Sequence, residues 1–301
     1  MVEPEYFDLR YKDLTRKNII LTGASGGIGS EVARILLRSG ATVHAIGRNQ
    51  AKLQLLESTP GKTGSIYIYL CDLQRPTDIK QTFTSILERV SGKLDGIVNC
   101  AGQSLIKDFQ DTSLKDFDDI MTINVRAAMH IMSMAVPFMK LTGGSIVNVS
   151  ATPVPKIRQS IFCVSKACMD SMTQCSALEL ANFGIRVNGV APGVVNTEFR
   201  LNQVESPITK EANDEGLKEC NTKGFIGGVC SSKDVAEVIV WLLSDESSYV
   251  TGEIINVDGG AGLDSGTSRV AWKSEERKQE SPSVFSLGKA FGIEKLFNRG
   301  K

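Results

Sequence analysis

Short, largely apolar runs alternate along the chain with longer stretches whose apolar residues recur every three to four positions. The runs fall at 18–21 (with Ile19, Ile20 and Leu21), 42–46, 66–70, 94–98, 145–149, 185–190 and 253–257. Runs this short, bounded by Gly, Asn, Asp or Pro, read as buried strands. Between them Val32, Ile35, Leu36 and Leu37 recur at helical spacing until Ser39-Gly40 ends the helix. Residues 77–90 are amphipathic, 117–139 form a long helical pattern rich in Met and Ala, and 160–183 run as a helix up to Gly184. A last helix is expected over 234–243, with Ser231 or Ser232 as its N-cap. Strands that alternate with helices throughout predict an α/β fold, a parallel sheet with helices on both faces.

Two segments break the pattern. Residues 198–232 are polar and glycine-containing, without periodicity, and a stretch this long inside a domain reads as a lid or substrate loop. From 263 the composition shifts to Ser, Lys, Glu and Arg, so the fold is assigned to 1–262 and a polar extension to 263–301. Near its end Leu287, Phe291, Leu296 and Phe297 share a helical face, with Lys289, Lys295 and Arg299 around them. That suits a small docking helix or frayed tail better than a membrane-surface helix.

With 301 residues and 42% hydrophobic content, one α/β domain with a sizeable core is expected. Lys and Arg (34) balance Asp and Glu (34), which gives no sign of a nucleic-acid partner. No run nears the roughly 18 apolar residues that a membrane span needs. Residues 1–17 are charged and lack the apolar core of a signal peptide, so a cytoplasmic location is expected. The seven cysteines include no CxxC pair, and His44 and His130 are far apart. No metal site and no disulfide framework are expected, only free thiols.

The chemistry begins at Thr22-Gly23-Ala24-Ser25-Gly26-Gly27-Ile28-Gly29, between the first strand and the first helix. Gly23, Gly27 and Gly29 let the backbone turn tightly, and the helix N-terminus offers free N–H groups to a pyrophosphate. The second strand ends in Gly47-Arg48-Asn49, without the acid that would hold an adenosine ribose. Arg48 can instead pair with a 2′-phosphate, which favours NADP(H) over NAD(H); a plain solvated arginine is the alternative. Asp72 ends the third strand and could meet an adenine amino group or cap the next helix. Asn124, inside an apolar helix, needs partners.

Taken together these motifs resemble the short-chain dehydrogenase/reductase family over about residues 13–261. The resemblance rests on the glycine loop, Asn99-Cys100-Ala101-Gly102, Asn124, the IVNVSA strand end from Ile146, Ser165-Lys166, Pro192-Gly193 and the VDGG that ends at Gly260. It implies a Rossmann-type, doubly wound parallel sheet of about seven strands in three α/β/α layers. Thr22, Gly23, Ser25, Gly27, Ile28 and Gly29 would form the cofactor loop. Asp72, Leu73, Asn99, Ala101 and Gly102 would lie along the adenosine side. Lys166 would bind the nicotinamide ribose, Pro192, Gly193, Val195 and Thr197 would hold the carboxamide, and Asn124 would anchor a proton-relay water. A homodimer or homotetramer through the two long helices is implied as well.

Two positions depart from the family pattern. Its proton-donor tyrosine stands four residues before the lysine, where this chain has Phe162, and its serine falls on Ala151. The loop between them also looks shorter than usual. The five tyrosines are Tyr6, Tyr11, Tyr67, Tyr69 and Tyr249, so none can take the place of Phe162 by a register shift. Ser150 could swing in, whereas on a helix Cys163 points about 100° and Ser160 about 160° away from Phe162. The expectation is an NADP(H)-binding, oxidoreductase-like protein acting weakly or by an altered route on a small carbonyl or alcohol substrate. The alternative is an inactive pseudoenzyme that binds nucleotide or pairs with an oligomer partner.

Overall fold

A computed structural model describes residues 13–152, 156–199 and 229–263. Each apolar run becomes a strand: β1 (Asn18–Thr22), β2 (Thr42–Gly47), β3 (Ser65–Leu70), β4 (Gly96–Asn99), β5 (Gly144–Val149), β6 (Ile185–Pro192) and β7 (Ile254–Val257). Among the described residues these make one seven-stranded sheet in the order β3-β2-β1-β4-β5-β6-β7, and every pairing is parallel. Strands covered on both faces must be apolar on both faces, which is why β1, with Ile19, Ile20 and Leu21, reads as an unbroken run rather than an alternation. The run at 94–98 starts too early: Leu94 is fully buried but precedes β4, because apolarity marks burial and not hydrogen bonding.

The helices are α1 (Gly27–Arg38), α2 (Gln50–Gln54), α3 (Pro76–Arg89), α4 (Leu114–Met121), α5 (Ala127–Met139), α6 (Ser160–Leu180) and α7 (Ser232–Leu243). On one face of the sheet, α1 and α7 bury Val32, Leu36, Val235 and Ile239 against Leu21, Val43 and Val98. On the other, α3, α5 and α6 bury Phe83, Ile131 and Ala177 against Ile20, Ile97 and Val187. Ser231 caps α7 in a reciprocal box with Asp234. Gly184, with φ of 68°, supplies the left-handed residue that ends the α6 segment.

Two expectations are corrected here. The long pattern at 117–139 starts earlier, at Leu114, and a π-helical turn over Thr122–Arg126 joins α4 to α5. Asp72 does not cap α3, whose N-cap is Arg75. Its carboxylate instead accepts from the Gln74 amide at 3.0 Å and faces Arg75 at 3.6 Å. The five-residue α2 had no readable period. The chain divides into Met1–Gly262 and Leu263–Lys301. Among the described residues no helix is long and apolar enough to cross a membrane.

His44 lies on the α3 side of β2, 0% exposed, stacked on Tyr67 at 5.6 Å and beside the Tyr69 hydroxyl at 3.3 Å. Burial, helped by the nearby Arg89 charge, pushes its pKa from 6.5 down to about 4. The folded state therefore holds a neutral imidazole where the unfolded chain takes up a proton. Stability should be full above pH 6.5 and fall as pH drops from 6.5 to about 4, with a loss of about 3 kcal/mol. Urea unfolding at pH 7, 5 and 4 should show this loss in the native chain relative to His44→Phe. Parallel pH curves for the two proteins would refute it.

Candidate active site

The direction of strand order reverses between β1 and β4, and a cleft opens there at the carboxyl ends of the strands, the usual binding crevice of such sheets. The cleft has a volume of about 1190 Å³. Its floor is the turn between β1 and α1. Gly23 has φ of 68°, and a Cβ there would stand 2.8 Å from the Ala101 backbone. A Cβ on Gly29 would stand 2.2 Å from the Gly23 carbonyl oxygen. The N-cap of α1 is Gly26, which has no side chain to satisfy the first-turn amides. Gly27, Ile28 and Gly29 line the cleft, so that helix end is open to an anion.

Ser25, Arg48, Asp72, Leu73, Ala101 and Gly102 all line the cleft. Arg48 is exposed just beyond β2 and has no ion pair among the described residues. Beside it Asn49 caps α2 by accepting from the Lys52 amide at 3.0 Å, and the Lys52 ammonium pairs with Glu198. Pro192, Gly193, Val195 and Thr197 form the wall after β6. Thr197 packs directly on the glycine turn, its methyl 2.4 Å from where a Gly27 Cβ would be.

Thr22 and Asn99 stand behind this wall rather than on it. They are register neighbours on β1 and β4, and Asn99 is in turn level with Asn148 on β5. The Asn99 amide donates to Asn148 at 2.8 Å, and Asn148 donates to Thr173 of α6 at 2.9 Å. The Thr22 hydroxyl accepts from the Cys100 and Ala101 amides at 3.1 and 3.2 Å, which holds the turn after β4 beside the glycines.

Asn124 is also off the wall. The π-helical turn aims its fully buried amide inward. It accepts from the Gln103 amide at 2.8 Å and donates to the Gln103 carbonyl and the Ser165 hydroxyl, both at 2.9 Å. In this structure it clamps the loop after β4 to α6.

At the inner end stands Lys166, 7% exposed, its Nζ donating to the Val149 carbonyl at 2.7 Å. Burial pushes its pKa down to about 8, against the opposing pull of Cys100 and Asp170. The Cys100 thiol is pushed up to about 12 by burial, so it is no nucleophile. One helical turn before the lysine, the Phe162 ring lines the cleft, its centroid 5.7 Å from the Lys166 Nζ and 6.0 Å from the Phe199 ring. Ala151 lines the cleft with a methyl group. Ser150 does not swing in. Its hydroxyl lies 3.3 Å from the Lys166 carbonyl and against the Asp170 carboxylate, both on α6.

Phe199, at the start of the expected substrate loop, lines the cleft, whereas Lys52 and Ser104 were not expected there. Only the cap at Asn49 hinted that a short helix would bring Lys52 round. Most of the expected lid, at 200–228, and the prolines at 153 and 155 lie outside the described residues. The six described cysteines are free thiols.

The glycine cradle, the open helix end and the lysine-bearing inner wall together fit a dinucleotide. The family model described as enoyl-(acyl carrier protein) reductase matches residues 23–262. The 3-oxoacyl-[acyl-carrier-protein] reductase of Thermotoga maritima is 33% identical over 253 residues, 82% of this chain and 98% of its own. A tropinone reductase homolog from Arabidopsis thaliana is 31% identical over 249 residues, 81% and 90% of the two chains. The crystal structure of a short-chain type dehydrogenase/reductase from Mycobacterium marinum superposes with a TM-score of 0.74 at 28% identity, over 83% of this chain and 96% of that one.

Proposed function

The chain belongs to the short-chain dehydrogenase/reductase family, and from that premise we propose an NADP(H)-binding, oxidoreductase-like protein whose ordinary proton route is disabled. The family implies a nicotinamide dinucleotide, which when bound supplies or takes up hydride. One observation carries the reading of the chemistry. The two positions where the family pattern puts its proton donor and its serine hold the Phe162 ring, 5.7 Å from the Lys166 Nζ, and the Ala151 methyl, and both residues line the cleft. Neither can donate, and the Ser150 hydroxyl is turned onto α6. The chain's own groups would then bind and orient a small carbonyl or alcohol substrate with little acid assistance.

A second reading is favoured by how much of the binding half remains. The glycine cradle and Lys166 would serve a pseudoenzyme that binds nucleotide or supports an oligomer. Exposed Leu114 and Phe117 on α4 and Val164 and Leu178 on α6 support self-association as a homodimer or homotetramer. The free thiols suit a reducing, cytoplasmic setting.

The nucleotide preference rests on Arg48. Fluorescence titration should show NADPH binding at about micromolar Kd and tighter than NADH. Arg48→Gln should weaken NADPH roughly tenfold or more, the size of a lost charge-assisted contact, and leave NADH unchanged. Failure of both nucleotides to bind the native chain would sink the cofactor reading.

A further inference from the structure

We propose that the Gln103 side-chain amide holds the carbonyl oxygen of the substrate, as the hydrogen-bond donor that stabilises the alkoxide formed on reduction. The proposal rests on reading the cleft as the cofactor and substrate site. It names the group that serves this oxygen where residues 162 and 151 have no hydroxyl.

Gln103 lines the cleft and is half-buried. Its main chain is fixed: the Asn124 side chain accepts from its N–H at 2.8 Å, donates to its carbonyl at 2.9 Å, and also reaches Ser165 on α6. Gly102, just before it, is where the loop passes the inner end. A Cβ there would stand 3.6 Å from the Lys166 Nζ and 3.9 Å from the Phe199 ring, and that ring is 6.0 Å from the Phe162 ring. With its main-chain groups occupied, Gln103 has its carboxamide left, which has no hydrogen-bond partner among the described residues. Nor is that carboxamide sealed in. Among the described residues the sealed, unpaired side-chain atoms belong to Ser39, His44, Asn99, Ser104 and Asp170. The Gln103 carboxamide therefore keeps accessible surface.

Hydride added to a carbonyl carbon moves the C=O π pair onto oxygen. The carboxamide N–H bonds that oxygen and keeps its own proton, and solvent water supplies the proton that completes the alcohol. Such a donor needs only a fixed place beside the oxygen. A primary amide has two N–H donors and no charge to titrate. Gln159 is the rival. It also lines the cleft, and as the N-cap of α6 its side chain makes no cap hydrogen bond. Its main chain is bonded to Lys156 and Cys163, close in sequence, whereas Gln103 is tied through Asn124 to α6 one residue before Lys166.

4-Nitrophenol tests the bond without turnover, because its ionised form carries an oxyanion on an apolar ring and absorbs differently from the phenol. Absorbance against pH, on the full chain saturated with NADP⁺, gives the acid dissociation constant of the bound probe. In Gln103→Leu that constant should fall about tenfold or more, the size of a lost bond to an ionised oxygen, with melting temperature and NADP⁺ affinity as in the native chain. NADPH oxidation with small ketones is the second readout. There Gln103→Leu should lower kcat about 10²-fold. In the Phe162→Tyr, Ala151→Ser background the new hydroxyls serve the same oxygen, so the same change should cost less than about threefold. The proposal is overturned if 4-nitrophenol does not bind, or if its ionisation is equal in the native chain and Gln103→Leu. A larger fall in Gln159→Leu, or a native rate no higher than that of Gln103→Leu, overturns it as well. NADPH titration of the native chain separates these outcomes from failure of the cofactor reading: if neither NADPH nor NADP⁺ binds, that reading falls and takes this proposal with it.

Discussion

Carbonyl reduction by Phe162→Tyr combined with Ala151→Ser is expected to run about 10²- to 10⁴-fold faster than in the native chain. Hydride delivered to a carbonyl carbon leaves a developing alkoxide that needs a proton or a strong hydrogen bond. The new phenolic oxygen would extend from a ring that already lines the cleft, with the Lys166 Nζ 5.7 Å from the ring centre. At pH 7 the lysine, at about 8, is mostly protonated. Its charge would pull the phenol below its ordinary value near 10 and make it a better acid. The gain corresponds to about 3 to 5 kcal/mol of barrier. The serine at 151 would add an oxyanion donor worth on the order of 10² alone. The two groups act on one oxygen, so their gains should not multiply. The assay is NADPH oxidation over a panel of small aldehydes and ketones, with NADPH affinity measured alongside. A native chain as fast as the double variant would mean that another acid operates and would defeat the disabled-route reading. A double variant with unchanged NADPH affinity and no gain in rate would show that the defect lies elsewhere.

Gly29→Ala is expected to weaken NADPH binding by roughly 100-fold or more and to lower stability by about 1–3 kcal/mol. The added methyl would stand 2.2 Å from the Gly23 carbonyl oxygen and 2.8 Å from its carbon. Both are backbone atoms of the turn just after β1, so relief requires that turn and the start of α1 to part. That movement would unmake the turn that brings the first-turn amides to an anion. Gly27→Ala is the informative contrast. Its methyl would meet the Thr197 side chain at 2.4 Å, and a side chain can rotate away. Titration and thermal melting of both variants should rank Gly29→Ala as far the more damaging. NADPH affinity in Gly29→Ala equal to that of the native chain would remove the glycine turn from the binding site.

Much of the fold was legible because the sheet is covered on both faces. Ile19, Ile20 and Leu21 had to be apolar without interruption, and an uninterrupted run is easy to read. The joint between α4 and α5 was not legible, since a single π turn shifts the helical period by one residue and leaves the apolar pattern almost intact. The site was legible as a set of residues but not as a set of directions. Thr22, Asn99 and Asn124 were each placed on the cofactor or relay path, yet Thr22 and Asn124 bond neighbouring backbone and side-chain groups and the Asn99 amide nitrogen donates to Asn148, leaving only its Oδ1 without a partner among the described residues.

The amino-acid order alone determined that β1 leads through a glycine turn into α1, and that no hydroxyl exists at 162 or 151. Those facts depend on residue identity and on neighbours close along the chain. Tertiary structure decided the rest: that Ser150 turns onto α6, that Asn124 is spent as a clamp, and that the Ser104 hydroxyl has no partner among the described residues. Each outcome depends on groups brought together from distant parts of the chain, as Asn124 meets Ser165 and Gln103. Hydrogen bonds reach only about 3 Å, so packing rather than sequence spacing chooses which of these polar groups find one another.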